Sequence, residues 1–177
     1  MNAAAAPPIA LIGLMGAGKS EVAAELALRL GAPALDLDRM IEAECGATVA
    51  QWFERHGEAS FRRLEGEALA RAIESGAAVI ACGGGVVLAP GASELLARRC
   101  RTVWLEVSPV EAARRLAGRE GTRPMLGGAE PRARLAALLE EREALYRAAA
   151  SRRVHTDGLS ADRVAEAVLA ALAGAAA

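Results

Sequence analysis

The chain has 177 residues, which is enough for one domain with a substantial hydrophobic core. Charged residues make up 24% of the chain and its net charge is −1, so there is no basic excess that would favour nucleic acid as a partner. No apolar run reaches transmembrane length, and the three cysteines lack metal-binding or redox spacing. We therefore expect a cytoplasmic protein with no membrane partner.

In chain order, short apolar runs that predict strands alternate with amphipathic runs that predict helices. Strands are predicted at residues 9–12, 34–36, 78–82, 102–106 and 154–156. Helices are predicted at residues 19–30, 39–44, 48–57, 58–75, 91–98, 109–117, 132–150 and 160–173. This alternation predicts a single α/β domain of three αβα layers around a mostly parallel five-stranded sheet.

Two kinds of segment fall outside these elements. Residues 118–131 contain four glycines and two prolines, and a loop of this length is typical of a mobile functional lid or of disorder. The alanine-rich ends, residues 1–7 and 174–177, are expected to be frayed tails.

The stretch Gly13–Ser20, GLMGAGKS, fits the pattern G-x-x-x-x-G-K-[ST] of a phosphate-binding loop, or P-loop. An apolar strand precedes it and a helix follows it, as the pattern requires. Glycines allow successive backbone N–H groups to point at phosphate oxygens, and the helix N-terminus adds its positive dipole end. The lysine of the pattern, Lys19, is the only lysine among 21 basic residues. We therefore predict a nucleotide phosphate site here.

Polar or glycine residues also follow the second and third predicted strands. Asp36 and Asp38 would lie on one side of the chain if the strand stays extended, although Asp38 could instead cap the next helix. Gly83, Gly84 and Gly85 follow a buried strand, and they would either let a ligand approach the backbone or form a flexible turn. Both groups are predicted at the sheet edge where ligands bind in such folds.

Other polar and aromatic residues carry no functional signal by themselves. Arg62 and Glu65 lie one helical turn apart, and with Arg142 and the pair Arg114–Arg115 they are typical of solvated charge. Neither histidine has a partner in the sequence. The two tryptophans are interpreted as packing residues, and Tyr146 as an amphipathic surface or core residue.

Taken together, the motifs resemble the shikimate kinase family, which is part of the nucleoside-monophosphate-kinase-like P-loop group. They occur in the family's order and span nearly the whole chain. The matching segments are GLMGAGKS at 13–20, Asp36-Leu-Asp38, Phe61-Arg-Arg-Leu-Glu65, Gly83-Gly-Gly85, Arg123-Pro-Met-Leu126, and Arg142 with Leu145-Tyr-Arg147.

The resemblance implies the phosphorylation of the 3-hydroxyl of shikimate by ATP with Mg²⁺, in aromatic amino-acid biosynthesis. It implies that Ser20 binds the metal ion and that Asp36 supports the ion through water. Lys19 would contact the ATP phosphates, and the lid residue Arg123 would reach the transferring phosphate. Arg115 would lie against the adenine. The implied nucleotide-binding set is Gly16, Ala17, Gly18, Lys19, Ser20, Glu21, Arg115 and Arg123.

On the substrate side, the resemblance implies a binding region at about residues 38–66. Asp38 would hold the shikimate hydroxyls and activate the attacking one, while Arg62 and Arg142 would clamp the carboxylate and Glu65 would orient Arg62. Gly83, Gly84 and Gly85 would offer backbone to the ring.

The chain departs from the family pattern at Glu21, where Thr or Ser is usual, because a carboxylate beside a triphosphate is repulsive. Two alternatives stay open at this point. One is a kinase of the same fold acting on gluconate or a nucleoside monophosphate, and the other is a nucleotide-binding regulatory module without turnover. The partners expected are shikimate and ATP, and we expect a monomer.

Overall fold

Five strands form one sheet, and each of their four pairings is parallel. This computed structural model of the protein describes residues 6–117 and 130–174. The strands are β1 (Ile9–Ile12), β2 (Ala34–Asp36), β3 (Val79–Ala81), β4 (Arg101–Glu106) and β5 (Arg152–His155). Their order in the sheet is β2-β3-β1-β4-β5. The central strand, β1, is therefore the one that leads into the phosphate loop.

The helices of the described residues alternate with these strands. They are α1 (Lys19–Leu30), α2 (Leu37–Cys45), α3 (Val49–Glu74), α4 (Ala92–Arg99), α5 (Pro109–Leu116), α6 (Pro131–Ala149) and α7 (Ala161–Ala173). A short 3₁₀ turn at Val86–Leu88, which the sequence did not predict, follows the third strand. No described helix is both long and apolar enough to cross a membrane.

Hydrophobic side chains of β1, β2, β3 and β4 alternate between two cores. In β1, Ile9 and Leu11 belong to the core that includes α1 and α7, whereas Ala10 and Ile12 belong to the core that includes α3 and α4. A strand buried on both faces must lie between two helical layers, because successive side chains point to opposite sides. The prediction of a three-layer αβα fold is therefore confirmed, and the sheet is parallel throughout.

The connection between β2 and α2 differs from the sequence expectation. The strand ends at Asp36, whose carboxylate accepts a hydrogen bond from the backbone N–H of Arg39 and caps the helix. Asp38, which the sequence allowed as an alternative cap, lies in the first turn of α2. The expected extended arrangement of the two carboxylates was wrong, because the chain turns into the helix immediately after Asp36.

The long helix α3 contains a break at Gly57, where φ is 75° and ψ is 170°. The left-handed φ is accessible to glycine at little cost, and the two predicted helices on either side of Gly57 are confirmed. The predicted lid lies outside the described residues except at its end, since Glu130 caps α6 with its carboxylate and Pro131 begins that helix.

Candidate active site

The phosphate loop (residues 13–20) connects the carboxyl end of β1 to the first turn of α1. Gly18 is the N-cap of α1 and has a φ of 83°, a left-handed conformation that favours glycine. Lys19 Nζ donates hydrogen bonds to the backbone oxygens of Gly13 at 2.8 Å and Leu14 at 3.0 Å. The ammonium group thus lies against the loop that would hold phosphate.

A hydroxyl and a carboxylate meet beside this loop. Ser20 Oγ donates to Asp36 Oδ2 at 2.5 Å. The described residues contain no cluster of three or more acidic, histidine or cysteine side chains that could hold a metal by themselves. This donor set nevertheless fits Mg²⁺, because that ion is usually held by one or two protein oxygens together with waters and substrate phosphates.

A cavity of about 380 Å³ opens at the carboxyl ends of the strands. The predicted phosphate residues Gly16, Ala17, Gly18, Lys19, Ser20 and Glu21 line it. Asp36, Asp38, Gly84 and Arg115 line the same cavity. The structure thus brings the nucleotide-site candidates of the described chain together with three residues from the second and third strand ends. Arg123, a predicted catalytic residue, lies outside the described residues.

The side chain of Glu21 is exposed where it borders this cavity. It stands in the first turn of α1, next to the residue that contacts Asp36. The expected repulsion between its carboxylate and a bound triphosphate stays a prediction.

Arg62 is buried and held by two carboxylates. Its Nε and Nη2 donate to Glu58 Oε1 at 3.1 and 2.8 Å, and its Nη1 donates to Glu65 Oε2. Burial raises the pKa of Glu65 to about 7, against the opposing effect of Arg62. The expected pairing of Arg62 with Glu65 is present, and the sequence interpretation of solvated charge is wrong for this pair.

Arg142 is 1% exposed, so its guanidinium is also a buried group rather than solvated charge. Its Nη1 donates to the backbone oxygen of Gly84 at 3.2 Å. Its Nε and Nη2 have no hydrogen-bond partner among the described residues. Glu141 Oε1 lies 3.9 Å from Nε, which is too far for a hydrogen bond. The unused pair of N–H groups is the edge with which arginine binds a carboxylate in bidentate fashion.

The triple-glycine loop (Gly83, Gly84 and Gly85) makes room for the groups around it. A Cβ on Gly83 would lie 2.2 Å from Glu65 Oε1 and 2.9 Å from Asp38 Oδ1. A Cβ on Gly85 would lie 2.2 Å from Arg62 Cζ. Gly83 and Gly85 are therefore required by close packing of the site's own side chains, and a contact with substrate stays a prediction.

Arg115 joins three parts of the nucleotide side. Its Nε donates to Glu111 at 2.8 Å, Nη1 donates to the Gly16 oxygen at 3.2 Å, and Nη2 donates to the Thr156 oxygen at 2.5 Å. Hydrogen bonds from Arg114, assisted by Arg115, lower the pKa of Glu111 to about 2. Arg115 therefore fixes the phosphate loop against the segment after β5.

Two residues of this region were missed by the sequence reasoning. Glu58 holds Arg62, and the signal was its position four residues earlier on the same helix. Tyr146 is fully buried, and its hydroxyl donates to the same Gly84 oxygen that Arg142 contacts. Its four-residue spacing from Arg142 was visible, but the shared acceptor on a distant loop was not.

A phosphate loop lies on a parallel sheet, a hydroxyl–carboxylate pair lies beside it, and two buried guanidinium groups contact the neighbouring triple-glycine loop. This arrangement defines a P-loop phosphotransferase acting on an anionic small molecule. The sequence model of the family described as shikimate kinase matches residues 15–173 of this chain. The chain belongs to the shikimate kinase family.

Individual relatives agree with this assignment. The chain is 40% identical to a shikimate kinase of Rhodococcus jostii over 168 residues, which are 95% of this chain and 99% of the relative. It is 46% identical to a shikimate kinase of Moorella thermoacetica over 164 residues, 93% of each chain. The solved structure of a shikimate kinase from Acinetobacter baumannii in complex with shikimate is similar with a TM-score of 0.90 and 35% identity, covering 96% of this chain and 94% of that one.

A gluconokinase from Sinorhizobium meliloti is also similar in structure, with a TM-score of 0.53 at 20% identity. At this identity the likeness concerns the fold alone. It gives no support to gluconate as the substrate.

Proposed function

We propose that this protein transfers the γ-phosphate of ATP to the 3-hydroxyl of shikimate, a step on the route to aromatic amino acids. The observation that carries the proposal is the connection made by Gly84. Gly84 lines the cavity beside the phosphate loop, and its carbonyl accepts a hydrogen bond from Arg142, whose Nε and Nη2 are unpaired among the described residues. A phosphate site and a buried carboxylate receptor thus adjoin each other.

On the nucleotide side, the backbone N–H groups of residues 16–20 bind the phosphates and Lys19 neutralises their charge. Lys19 Nζ already lies within 3.0 Å of two loop carbonyls, so a small movement brings it to a phosphate oxygen. Ser20 and Asp36 would hold Mg²⁺. When bound, the ion neutralises charge on the phosphate oxygens.

On the acceptor side, the unpaired edge of Arg142 binds the shikimate carboxylate, together with Arg62. Asp38 lies between this region and the phosphate loop, since it borders the cavity and also approaches Gly83. Its carboxylate orients the attacking hydroxyl and accepts its proton. Gly83, Gly84 and Gly85 supply a wall of backbone to the ring.

Two further roles follow from the family resemblance. Arg115 would border the adenine, and its position on the cavity wall supports this. Arg123, in the predicted lid at residues 118–131, would contact the transferring phosphate. Closure of such a segment would exclude water from ATP. The monomeric state and cytoplasmic location remain predictions.

The proposal is tested by an ADP-release assay with ATP and Mg²⁺ in the presence of shikimate, gluconate or AMP. Of the three acceptors, we expect turnover only with shikimate. Phosphorus NMR should identify the product as shikimate 3-phosphate. A Lys19→Met variant serves as the inactive control, since the chain has no other lysine. Preferred turnover of gluconate or AMP would assign a different kinase activity. ATP binding without any turnover would favour a regulatory module.

A further inference from the structure

Tyr146 and Arg142 lie four residues apart on α6 and therefore face the same side of that helix. The Tyr146 hydroxyl and the Arg142 Nη1 both donate to the backbone oxygen of Gly84. A carbonyl oxygen has two lone pairs, so these two donors use its full capacity. The position of one carbonyl group thus depends on both side chains.

This shared acceptor determines how Arg142 is presented. With Nη1 fixed on Gly84, the planar guanidinium keeps its Nε and Nη2 groups together as one edge, and that edge has no partner among the described residues. A shift of the Gly84 carbonyl would rotate the guanidinium and misalign the edge. The hydroxyl of Tyr146 is the second group that prevents such a shift.

The surroundings keep Tyr146 and Gly84 in place. The Tyr146 ring stacks on Trp104 with centroids 5.9 Å apart, and the side chain is fully buried. On the other side of the loop, a Cβ on Gly84 would lie 3.3 Å from the backbone nitrogen of Met15 in the phosphate loop. Gly84 therefore packs between α6, which holds its carbonyl, and the phosphate loop.

We propose that Tyr146 is a positioning residue that sets the orientation of Arg142 toward the shikimate carboxylate through the Gly84 carbonyl. The inference rests on the proposed function. Burial raises the pKa of Tyr146 to about 12, so the hydroxyl remains a donor throughout the neutral range.

The test is a Tyr146→Phe variant, which keeps the ring and its contact with Trp104. We expect the KM for shikimate to rise by roughly three- to tenfold, the effect of one hydrogen bond, with the KM for ATP unchanged. In an Arg142→Lys background the same substitution should have little further effect, because the guanidinium through which it acts is absent. Equal effects in both backgrounds would overturn the proposal.

Thr102→Val is a matched control. Thr102 is buried, and its hydroxyl donates to the Leu96 oxygen at 2.9 Å. That oxygen also retains a second donor, the backbone N–H of Cys100. This variant loses the same kind of bond away from the cavity, so the KM for shikimate should stay within about twofold of wild type. A rise equal to that of Tyr146→Phe would show general destabilisation and overturn the proposal.

The chain has a single tyrosine, which provides a second measurement should Tyr146→Phe fail to fold. Protein labelled with 3-fluorotyrosine gives one fluorine NMR line, and saturation with shikimate should move it. A stationary line would overturn the role of Tyr146. If wild-type protein shows no shikimate-dependent ADP release, the proposed function itself fails; an active wild type with an unaffected Tyr146→Phe variant refutes only the positioning role.

Discussion

The Ser20 hydroxyl donates a hydrogen bond to the Asp36 carboxylate over 2.5 Å. Ser20 lies in the first turn of α1 and Asp36 ends β2, a strand that β3 separates from β1 in the sheet. Asp36 also caps α2 through the N–H of Arg39. One carboxylate thus connects the phosphate loop to the helix that carries Asp38.

Because of these two contacts, the proposed metal role of Asp36 should be separable from its capping role. Asn is as good a helix cap as Asp but lacks the charge, so Asp36→Asn should raise the Mg²⁺ concentration for half-maximal activity roughly 10- to 100-fold at unchanged stability. Asp36→Ala should also lower the free energy of unfolding by about 1 kcal/mol. Magnesium titrations and urea unfolding measure the two effects. An Asp36→Asn variant with the wild-type magnesium requirement would contradict the assignment.

Asp38 does not cap α2, although the sequence allowed that role. Its substitution should therefore change the catalytic rate rather than the stability. We expect Asp38→Asn to lower kcat by at least about 100-fold, the scale of a general base, without changing the urea midpoint. Steady-state kinetics at saturating ATP and shikimate measure this. Turnover close to wild type would remove Asp38 from the catalytic residues.

The bidentate edge of Arg142 should be essential for shikimate affinity. Lysine keeps the charge but lacks the fork, so Arg142→Lys should raise the KM for shikimate roughly 10- to 100-fold and leave the KM for ATP unchanged. Arg147→Lys is the control on the same helix, where the side chain is largely exposed. A parallel loss of ATP and shikimate affinity would indicate misfolding rather than a lost carboxylate receptor.

The carboxylate of Glu21 should weaken ATP binding if it faces the phosphates. Glu21→Thr is then expected to lower the Kd for ATP, and the gain should be larger at low salt because screening is weaker. Glu25→Thr, one turn further along α1, removes the same charge farther from the loop. ATP titrations at two ionic strengths measure both variants. Equal effects on the Kd would mean that Glu21 acts only through the net charge of the protein and not by local repulsion of the phosphates.

The raised pKa of Glu65 predicts a pH dependence of stability. The folded state holds the proton up to about pH 7, whereas the unfolded side chain releases it near its ordinary pKa of 4.5. The folded state therefore binds more protons in this window, and the free energy of unfolding falls as pH rises from about 4.5 to 7. For a pKa shift of this size, the free energy of unfolding falls by on the order of 3 kcal/mol across the window.

Urea unfolding of wild type and Glu65→Gln at several pH values measures this effect. Gln cannot ionise, so the wild type should lose stability relative to the variant across the window and run parallel to it above pH 7. A difference that does not change with pH would mean that the carboxyl group titrates alike in both states.

The sequence alone predicted the fold class, which the structure confirms, and it predicted that residues 16–21 form one site, which the structure places on one cavity wall. The reason is that these features are local: strand and helix periods are short, and the phosphate loop is a motif of eight consecutive residues. The Asp36–Asp38 and triple-glycine segments were also recognised as belonging to the sheet edge, because parallel strands bring their carboxyl ends together.

Only the tertiary structure decided which polar groups are buried and what they contact. Arg62 and Arg142 were indistinguishable from solvated arginines in sequence, since burial depends on elements far apart in the chain. The same holds for Asp36, which proved to be the cap of α2, and for the glycines, whose missing side chains accommodate Glu65 and Arg62. The shared acceptor of Arg142 and Tyr146 lies about 60 residues away on another loop, and a contact across that separation is set by packing rather than by any local pattern.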